Sequence, residues 1–464
     1  MIQADPSSAI SYWLAASPAG PARPPLRGGT ETDVAIVGAG FTGLWTAIAL
    51  TDTDPSLRVT VLEQETVGFG ASGRNGGFCQ ASLTHGLANG LRHFPDEIEI
   101  LEREGRANLG ALIAFTRQHA IDCDLEDTGG LTVADQPYQV DELKAWADEA
   151  AQHGEEVVFL DREAVRAEVH SPIWEAGLYS PPNGTDLLVD PAKLVRGLAR
   201  VAGERGVTIH QHTRVRAVQR RAGGVRLTTE AGATLDAEHV VVATSAYSGW
   251  LRRLQTHFVP VYDYALVSDP LTPEQHEAIG WWRRQGMSDA NNQFHYFRLT
   301  ADDRILWGGY DAIYHRNNGV GPQFDRRPLT FEKLEGHFRR AFPQLADLRF
   351  PYRWGGAIDT TSRFTVTFGQ ALGGRLTYAL GYTGLGVGAS RWAGGIVRDF
   401  ILRPDAELLR LRFVRSRPFP FPPEPLRSVA VNVVRGELDR ADRNEGRRGL
   451  ILKALDAIGI GFDS

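Results

Sequence analysis

The run Asp33-Val-Ala-Ile-Val-Gly-Ala-Gly-Phe-Thr-Gly-Leu-Trp-Thr-Ala47, followed by Val59-Thr-Val-Leu-Glu63, constrains the fold more than any other segment. Val34 to Val37 reads as a short β-strand, and Gly38, Gly40 and Gly43 follow it in the GxGxxG spacing. A helical pattern opened by Phe41 and Thr42 runs to Leu50, and Val59 to Glu63 reads as a second strand. Gly38 suits a tight turn, Gly40 a close approach of backbone to a pyrophosphate, and Gly43 close contact of helix with strand. The helix N-terminus adds unpaired N–H groups and the positive end of its dipole. Glu63, twenty residues past Gly43, is where a carboxylate accepts from ribose hydroxyls. Together these predict a βαβ unit that binds an adenine dinucleotide. A purely structural βαβ unit is the plainer alternative.

A regular expression alone would not decide this. Gly68-Phe-Gly-Ala-Ser-Gly73 matches GxGxxG equally well, but Arg74-Asn-Gly-Gly77 follows it instead of an apolar helix. The second match is therefore read as a flexible loop.

A chain of 464 residues has room for two domains and a large core. Its net charge of −6 gives no basic field for nucleic acid. The only lysines are Lys144, Lys193, Lys333 and Lys453. Cys79 and Cys123 are the only cysteines, which predicts neither a disulfide framework nor a metal site. The start, Met1-Ile-Gln-Ala-Asp-Pro6, lacks a basic region ahead of an apolar run, and no apolar run is long enough to span a bilayer. A cytoplasmic protein without a transmembrane segment is expected.

Helical patterns cover 95–120, 138–153 and Pro191 to Arg205. Gly206 to His210 and Thr213 to Val218 read as strands. Val225 to Thr229 and Thr234 to Asp236 read as a hairpin, and His239 to Thr244 as a separate buried strand. Val259 to Val267, Phe294 to Leu299 and Arg304 to Trp307 predict an antiparallel sheet, with Asp302-Asp303 turning between the last two. Trp281-Trp282 falls in a helix-like segment and suits a core or an interface. A proline-rich arm from Arg417 to Pro425 precedes two helices. The last, Leu450 to Ile458, is amphipathic and suits packing on the nucleotide domain or a second subunit, or a membrane surface. The expected fold is α/β (α+β overall), with a Rossmann-type dinucleotide domain interleaved with an antiparallel-sheet substrate domain. The dinucleotide domain takes 31–90, 181–256 and 353–403, the substrate domain takes 91–180 and 257–352, and 404–464 forms a C-terminal arm with helices.

Four segments resemble the FAD-dependent amine oxidoreductases of the D-amino-acid oxidase, glycine oxidase and sarcosine oxidase superfamily. They are Asp33 to Glu63, Gly68 to Gly77, Gly206 to Thr244, and Trp354-Gly-Gly356 through Gly381-Tyr-Thr-Gly-Leu-Gly-Val387. The Ser11-Tyr-Trp13 start, Tyr296-Phe-Arg298, Arg304 to Tyr310 and the proline-rich tail are similar to γ-glutamylputrescine oxidoreductase-like proteins in particular. The resemblance implies FAD as the dinucleotide. It implies Ser72, Gly73 and Arg74 near the pyrophosphate and ribityl chain, Asn75 and Gly76 near the isoalloxazine, and the Val215 backbone at the adenine. It implies Gly384, Leu385, Gly386 and Val387 as a helix start aimed at the flavin N1–C2=O edge. Many relatives have histidine where this chain has Leu385, and many have Asp-x-x-Pro where it has Thr361-Ser-Arg-Phe-Thr365. None of the four lysines falls in a flavin-contacting motif, although some oxidases of the superfamily activate oxygen with one.

The implied chemistry is hydride transfer from an amine to flavin N5, then hydrolysis of the imine to a carbonyl product. It requires orientation and a dry cavity, with no nucleophile and no metal. No catalytic side chain is assigned. Tyr296 and Arg298 share a strand face, so Arg298 could clamp a carboxylate that Tyr296 orients, or simply form an ordinary ion pair. Tyr382 could wall the pocket or pack, and His85 could reach it or serve structure. Cys79 reads as a small buried thiol rather than a flavin attachment point. Three functions remain open. One is oxidation of a small-molecule amine or amino acid, with O2 as acceptor. Another is a dehydrogenase of amino or hydroxy acids that passes electrons to a quinone or carrier. The third is a non-catalytic flavin-binding subunit. Oligomeric state is not legible.

Overall fold

The computed structural model describes residues 10–18, 20–152, 156–249, 251 and 255–457. The start of the chain, where no signal sequence is expected, and Ile458, expected to end the last helix, lie outside the described residues.

Gly29–Val37 runs parallel to Thr234–Val242 over its whole length, and Val59–Leu62 lies parallel on its other side. Thr208–His210 extends that edge. Leu376–Leu380 joins the other edge in parallel, and Thr367–Ala371 closes it antiparallel. Alternation along each strand sorts the side chains. Ile36, Val61 and Val241 face a core shared with the helices Phe41–Thr53, Ile98–Gln118, Pro191–Glu204 and Gly386–Leu402. Ala35, Val37, Val240 and Val242 face a second core that includes Val225 and Leu227 of the hairpin. A largely parallel sheet covered on both faces is the Rossmann-type domain expected.

Thr234–Val242 is one strand, where the sequence suggested two. Its first half pairs antiparallel with the hairpin strand Gly224–Thr229, while Gly29–Val37 holds its entire length. Continuous backbone pairing carries the strand through the polar Glu238 and His239.

The second sheet has nine strands and is antiparallel except where Gly286–Asp289 runs parallel to Gly130–Ala134. Tyr352–Thr360 pairs with all nine residues of Val259–Val267, so residues 353–360 belong to this sheet and not to the dinucleotide domain. Conversely, Ile98–Gln118 was expected with the substrate domain, but it buries Leu101, Leu109 and Leu112 in the first core. The second core is aromatic and includes Trp174, Trp281, Phe297, Trp307, Phe338 and Phe342. Trp281 is fully buried, whereas Trp282 is 65% exposed. Neither is helical, because Gly280 in the left-handed conformation ends Pro273–Ile279 just before them.

After Gly386–Leu402, which ends just before Pro404 as that proline predicts, the chain crosses to the second sheet. Its cap helix, Leu426–Arg443, is docked through Asp442, which accepts from the amides of Asn292 at 2.9 Å and Gln293 at 3.0 Å. Leu450–Ala457 follows, with Leu450 87% exposed and Leu452 buried. Among the described residues no helix is long and apolar enough to cross a membrane.

Candidate active site

One cavity of about 1870 Å³ runs between the domains. Drug-sized pockets occupy about 300–1,000 Å³, so this one has room for a dinucleotide and a small substrate together.

Its floor is the GxGxxG turn. Gly38 has φ +107°, and a Cβ there would sit 2.4 Å from the Ala243 carbonyl oxygen. A Cβ on Gly43 would lie 2.0 Å from the Gly38 carbonyl oxygen, so helix and turn touch through backbone alone. Gly40 is the N-cap of Phe41–Thr53 and supplies no capping side chain; the Phe41 amide instead donates to the Ser72 hydroxyl at 2.9 Å. Thr42 donates to the Tyr382 hydroxyl at 2.8 Å. Glu63 accepts from the amides of Ala39 at 2.8 Å and Glu65 at 2.9 Å, fixing the second strand to the turn. Burial raises its carboxyl, and those same amides oppose the rise. Gly38, Gly40, Phe41, Thr42, Glu63, Ser72, Arg74, Asn75, Gly76 and Val215 line the cavity; Gly43 and Gly73 support it from behind.

The Gly68–Gly77 loop, read from sequence as flexible, is fastened from several directions. Ser11 donates to the Gly73 carbonyl, Trp354 Nε1 to the Arg74 carbonyl at 2.9 Å, and Trp13 Nε1 to the Asn75 carbonyl at 2.8 Å. The Arg74 guanidinium pairs with Asp325 at 2.9 Å, both side chains almost fully buried, and also donates to the Gly355 carbonyl. The Asn75 amide binds the Ala71 and Ser72 carbonyls, while its oxygen accepts from Gly77. The role of the Ser11–Trp13 start as a clamp on this loop had no signal beyond its resemblance. Trp13→Phe keeps an aromatic ring but removes the pyrrole half of the indole with its hydrogen bond, the bond alone worth about 1 kcal/mol, so FAD affinity is expected to fall about fivefold or more, measured by equilibrium fluorescence titration.

The opposite end is the turn Gly381–Leu385 and the start of Gly386–Leu402. No side chain caps this helix, and Gly384, Leu385, Gly386 and Val387 line the cavity. Its open N–H groups and dipole suit a ligand carrying negative charge. Asp359 holds the turn, accepting from the Gly381 amide at 2.6 Å. Burial pushes its carboxyl up to about 6, against the Gly381 amide and the Ser245 hydroxyl. The folded protein therefore binds this proton more tightly than the unfolded chain does. The group's contribution is fully present below about pH 4 and is lost as pH rises through about 6. Asp359→Asn is expected to remove that decline, on the order of 3 kcal/mol, from urea-unfolding free energies compared at about pH 4 and pH 7.

The roof is the aromatic sheet. Tyr296 and Asp263 line it, and the Tyr296 hydroxyl donates to Asp263 at 2.5 Å. Asp289, also in the lining, holds His295 at 2.6 Å, and His295 meets His337 at 2.9 Å. Burial lowers the His337 imidazole to about 4. The outer wall comes from the C-terminal arm and cap helix, through Phe419 to Pro422, Val431, Val434 and Leu438.

Arg298 does not share this wall. It is 1% exposed and outside the cavity lining, donating to the carbonyls of Gly77 at 3.2 Å, Val189 at 2.9 Å and Leu299 at 3.1 Å. The carboxylate clamp inferred from strand alternation is therefore corrected. The side chain lies under the Gly77 loop, 5.6 Å from the Trp13 ring. Tyr382 lines the cavity and also packs in the first core. His85 lines it too, 5.7 Å from the Phe364 ring, and burial lowers its imidazole. Cys79 is fully buried away from the cavity lining. Sequence reasoning missed Asp263 and Asp359; the signal for Asp263 was an acid within an otherwise apolar and aromatic strand, and for Asp359 an acid after Gly355-Gly-Ala-Ile358.

The glycine turn, a carboxylate at the end of the second strand and an uncapped helix facing one cavity match the demands of a flavin dinucleotide. Residues 33–400 match the model of the DAO family, FAD dependent oxidoreductase. The chain belongs to that family. Its cofactor is FAD, and it is an FAD-dependent oxidoreductase. The γ-glutamylputrescine oxidoreductase of Escherichia coli (strain K12) is 30% identical over 402 residues, 84% of this chain and 88% of that protein. Among solved structures, glycine oxidase from Geobacillus kaustophilus superposes with a TM-score of 0.69 at 22% identity, covering 84% of this chain and 99% of its own. Iminodiacetate oxidase from Chelativorans sp. BNC1 gives 0.65 at 19% identity, covering 82% and 98%. The family span stops at residue 400, so the arm and cap helix that close the cavity lie outside it.

Proposed function

We propose that this flavoenzyme oxidises a C–N bond of a small amine or amino acid, a γ-glutamylated polyamine being one candidate, and that O2 takes the electrons. The observation that carries this reading is the continuity of the cavity, from the glycine turn past the uncapped helix to the face bearing Asp263 and Tyr296. Likeness to an enzyme named for γ-glutamylputrescine supports the amine. The Gly38–Phe41 turn with Ser72 would take the pyrophosphate, Val215 and Glu63 the adenosine end, and Gly384–Val387 the ring edge. The chemistry that bound FAD supplies is acceptance of a hydride from carbon at flavin N5. The protein's part is to orient the amine, exclude water and set positive helix-end dipoles against negative charge. The resulting imine then hydrolyses to a carbonyl compound.

One observation favours a dehydrogenase that passes electrons to a quinone or carrier. None of the four lysines lines the cavity among the described residues. Anaerobic bleaching of the flavin by members of an amine panel tests the first reading, and loss of bleaching with every amine refutes it. Peroxide formed in air by the same amines separates oxidase from dehydrogenase. Bleaching by any compound also removes a purely flavin-binding role.

A further inference from the structure

We propose that Asp263 holds the substrate's cationic nitrogen, with Tyr296 locking the carboxylate in place, and that the substrate is an alkylamine without a carboxylate on the oxidised carbon. The inference rests on the amine reading above.

Asp263 interrupts the apolar and aromatic strand Val259–Val267 and lines the cavity. Its carboxylate accepts from the Tyr296 hydroxyl at 2.5 Å and the Tyr264 amide at 2.7 Å, with the Gly309 amide also bound. Every one of those donors is neutral. Other carboxylates in this half of the protein have cations: Asp325 has Arg74, and Asp311 has Arg327, Lys333 and Arg435. Among the described residues no lysine or arginine pairs with Asp263. A buried carboxylate without a lysine or arginine partner is costly, and burial pushes this one up to about 6, against its three hydrogen-bond donors and a weaker pull from His295. A protonated amine arriving with the substrate removes that cost, and its N–H proton passes to the Asp263 carboxylate before the neutral amine's carbon gives up hydride.

Position distinguishes Asp263 from Asp359 and Asp186, two other cavity carboxylates with no lysine or arginine partner among the described residues: Asp359 is held at the Gly381 turn and Asp186 by Gln80. The Tyr296 ring, by contrast, lies directly on the flavin loop, where a Cβ on Gly76 would sit 2.7 Å from its Cε2. Asp263 is thus one tyrosine away from the Gly76 loop, which the family resemblance implies lies near the reactive ring. The same geometry disfavours an α-amino acid. Its carboxylate would face Asp263, and Arg298, the cation expected to receive it, is bound beneath the loop.

The test uses the FAD-loaded enzyme and a panel of putrescine, N-acetylputrescine, butylamine, glycine and sarcosine. Anaerobic stopped-flow bleaching gives the half-saturating concentration and the limiting rate separately, and flavin absorbance gives cofactor content. In Asp263→Asn the half-saturating amine concentration is expected to rise about 100-fold at unchanged FAD content, with partial recovery in Asp263→Glu. Tyr296→Phe is expected to raise it about tenfold, and carries the test should Asp263→Asn lose FAD. Half-saturation within about threefold of wild type in Asp263→Asn, or in Tyr296→Phe where that variant carries the test, overturns the anchor alone. Glycine or sarcosine saturating at lower concentration than the alkylamines overturns the substrate class. A wild-type flavin that no amine bleaches overturns the amine reading and the anchor together.

Discussion

Gly43→Val is expected to yield protein that does not retain FAD. The added Cβ would lie 2.0 Å from the Gly38 carbonyl oxygen and 3.3 Å from Ile36 Cγ2, and neither the turn nor the strand behind it can yield without moving the backbone that lines the cavity. Gly38 is itself fixed against the Ala243 carbonyl and held by the Leu62 carbonyl, which accepts from its amide at 2.8 Å. Overpacking of this kind costs about 3 kcal/mol or more, so FAD affinity should fall at least about 100-fold. Flavin absorbance per protein after gel filtration, with an apoprotein fluorescence titration, measures this. Full flavin content in the variant would show that the turn does not carry the cofactor.

Arg298→Leu is expected to destabilise the protein by about 3 kcal/mol, because it leaves the buried carbonyls of Gly77, Val189 and Leu299 without their donor. Thermal unfolding of the holoenzyme should show the loss. Any change in KM should be no larger for carboxylated than for uncarboxylated amines, since the guanidinium does not line the cavity. An unchanged melting temperature, together with a KM increase confined to carboxylated substrates, would restore the clamp.

The first domain was legible because its signals are local. Gly38, Gly40 and Gly43 lie within one turn, and the strands on either side are short and apolar, so spacing alone states what the backbone must do. Most of the residues that the family resemblance implies for the cofactor lie on that same turn, on the loop after it and on the uncapped helix, and those that line a cavity line the same one. The substrate half was less legible. Period-two alternation correctly put Tyr296 and Arg298 on one face of their strand, but two residues of a face can meet different neighbours. Tyr296 meets the cavity, and Arg298 meets the underside of the Gly68–Gly77 loop. The stretch 353–360 resembled cofactor sequence, yet its backbone pairs with Val259–Val267.

By itself the sequence determined the dinucleotide turn, the interleaving of two domains and the family, since each is written in short-range spacing or in residue identity. Only the tertiary structure decided that Ser11 and Trp13 grip the Gly68–Gly77 loop from sixty-two residues away, that no lysine or arginine among the described residues pairs with Asp263, and that a segment beyond the family span walls the cavity. Those are contacts between residues distant in the chain. Which carboxylate finds a counter-ion and which arginine finds only carbonyls depends on how the elements pack, and no local pattern encodes it.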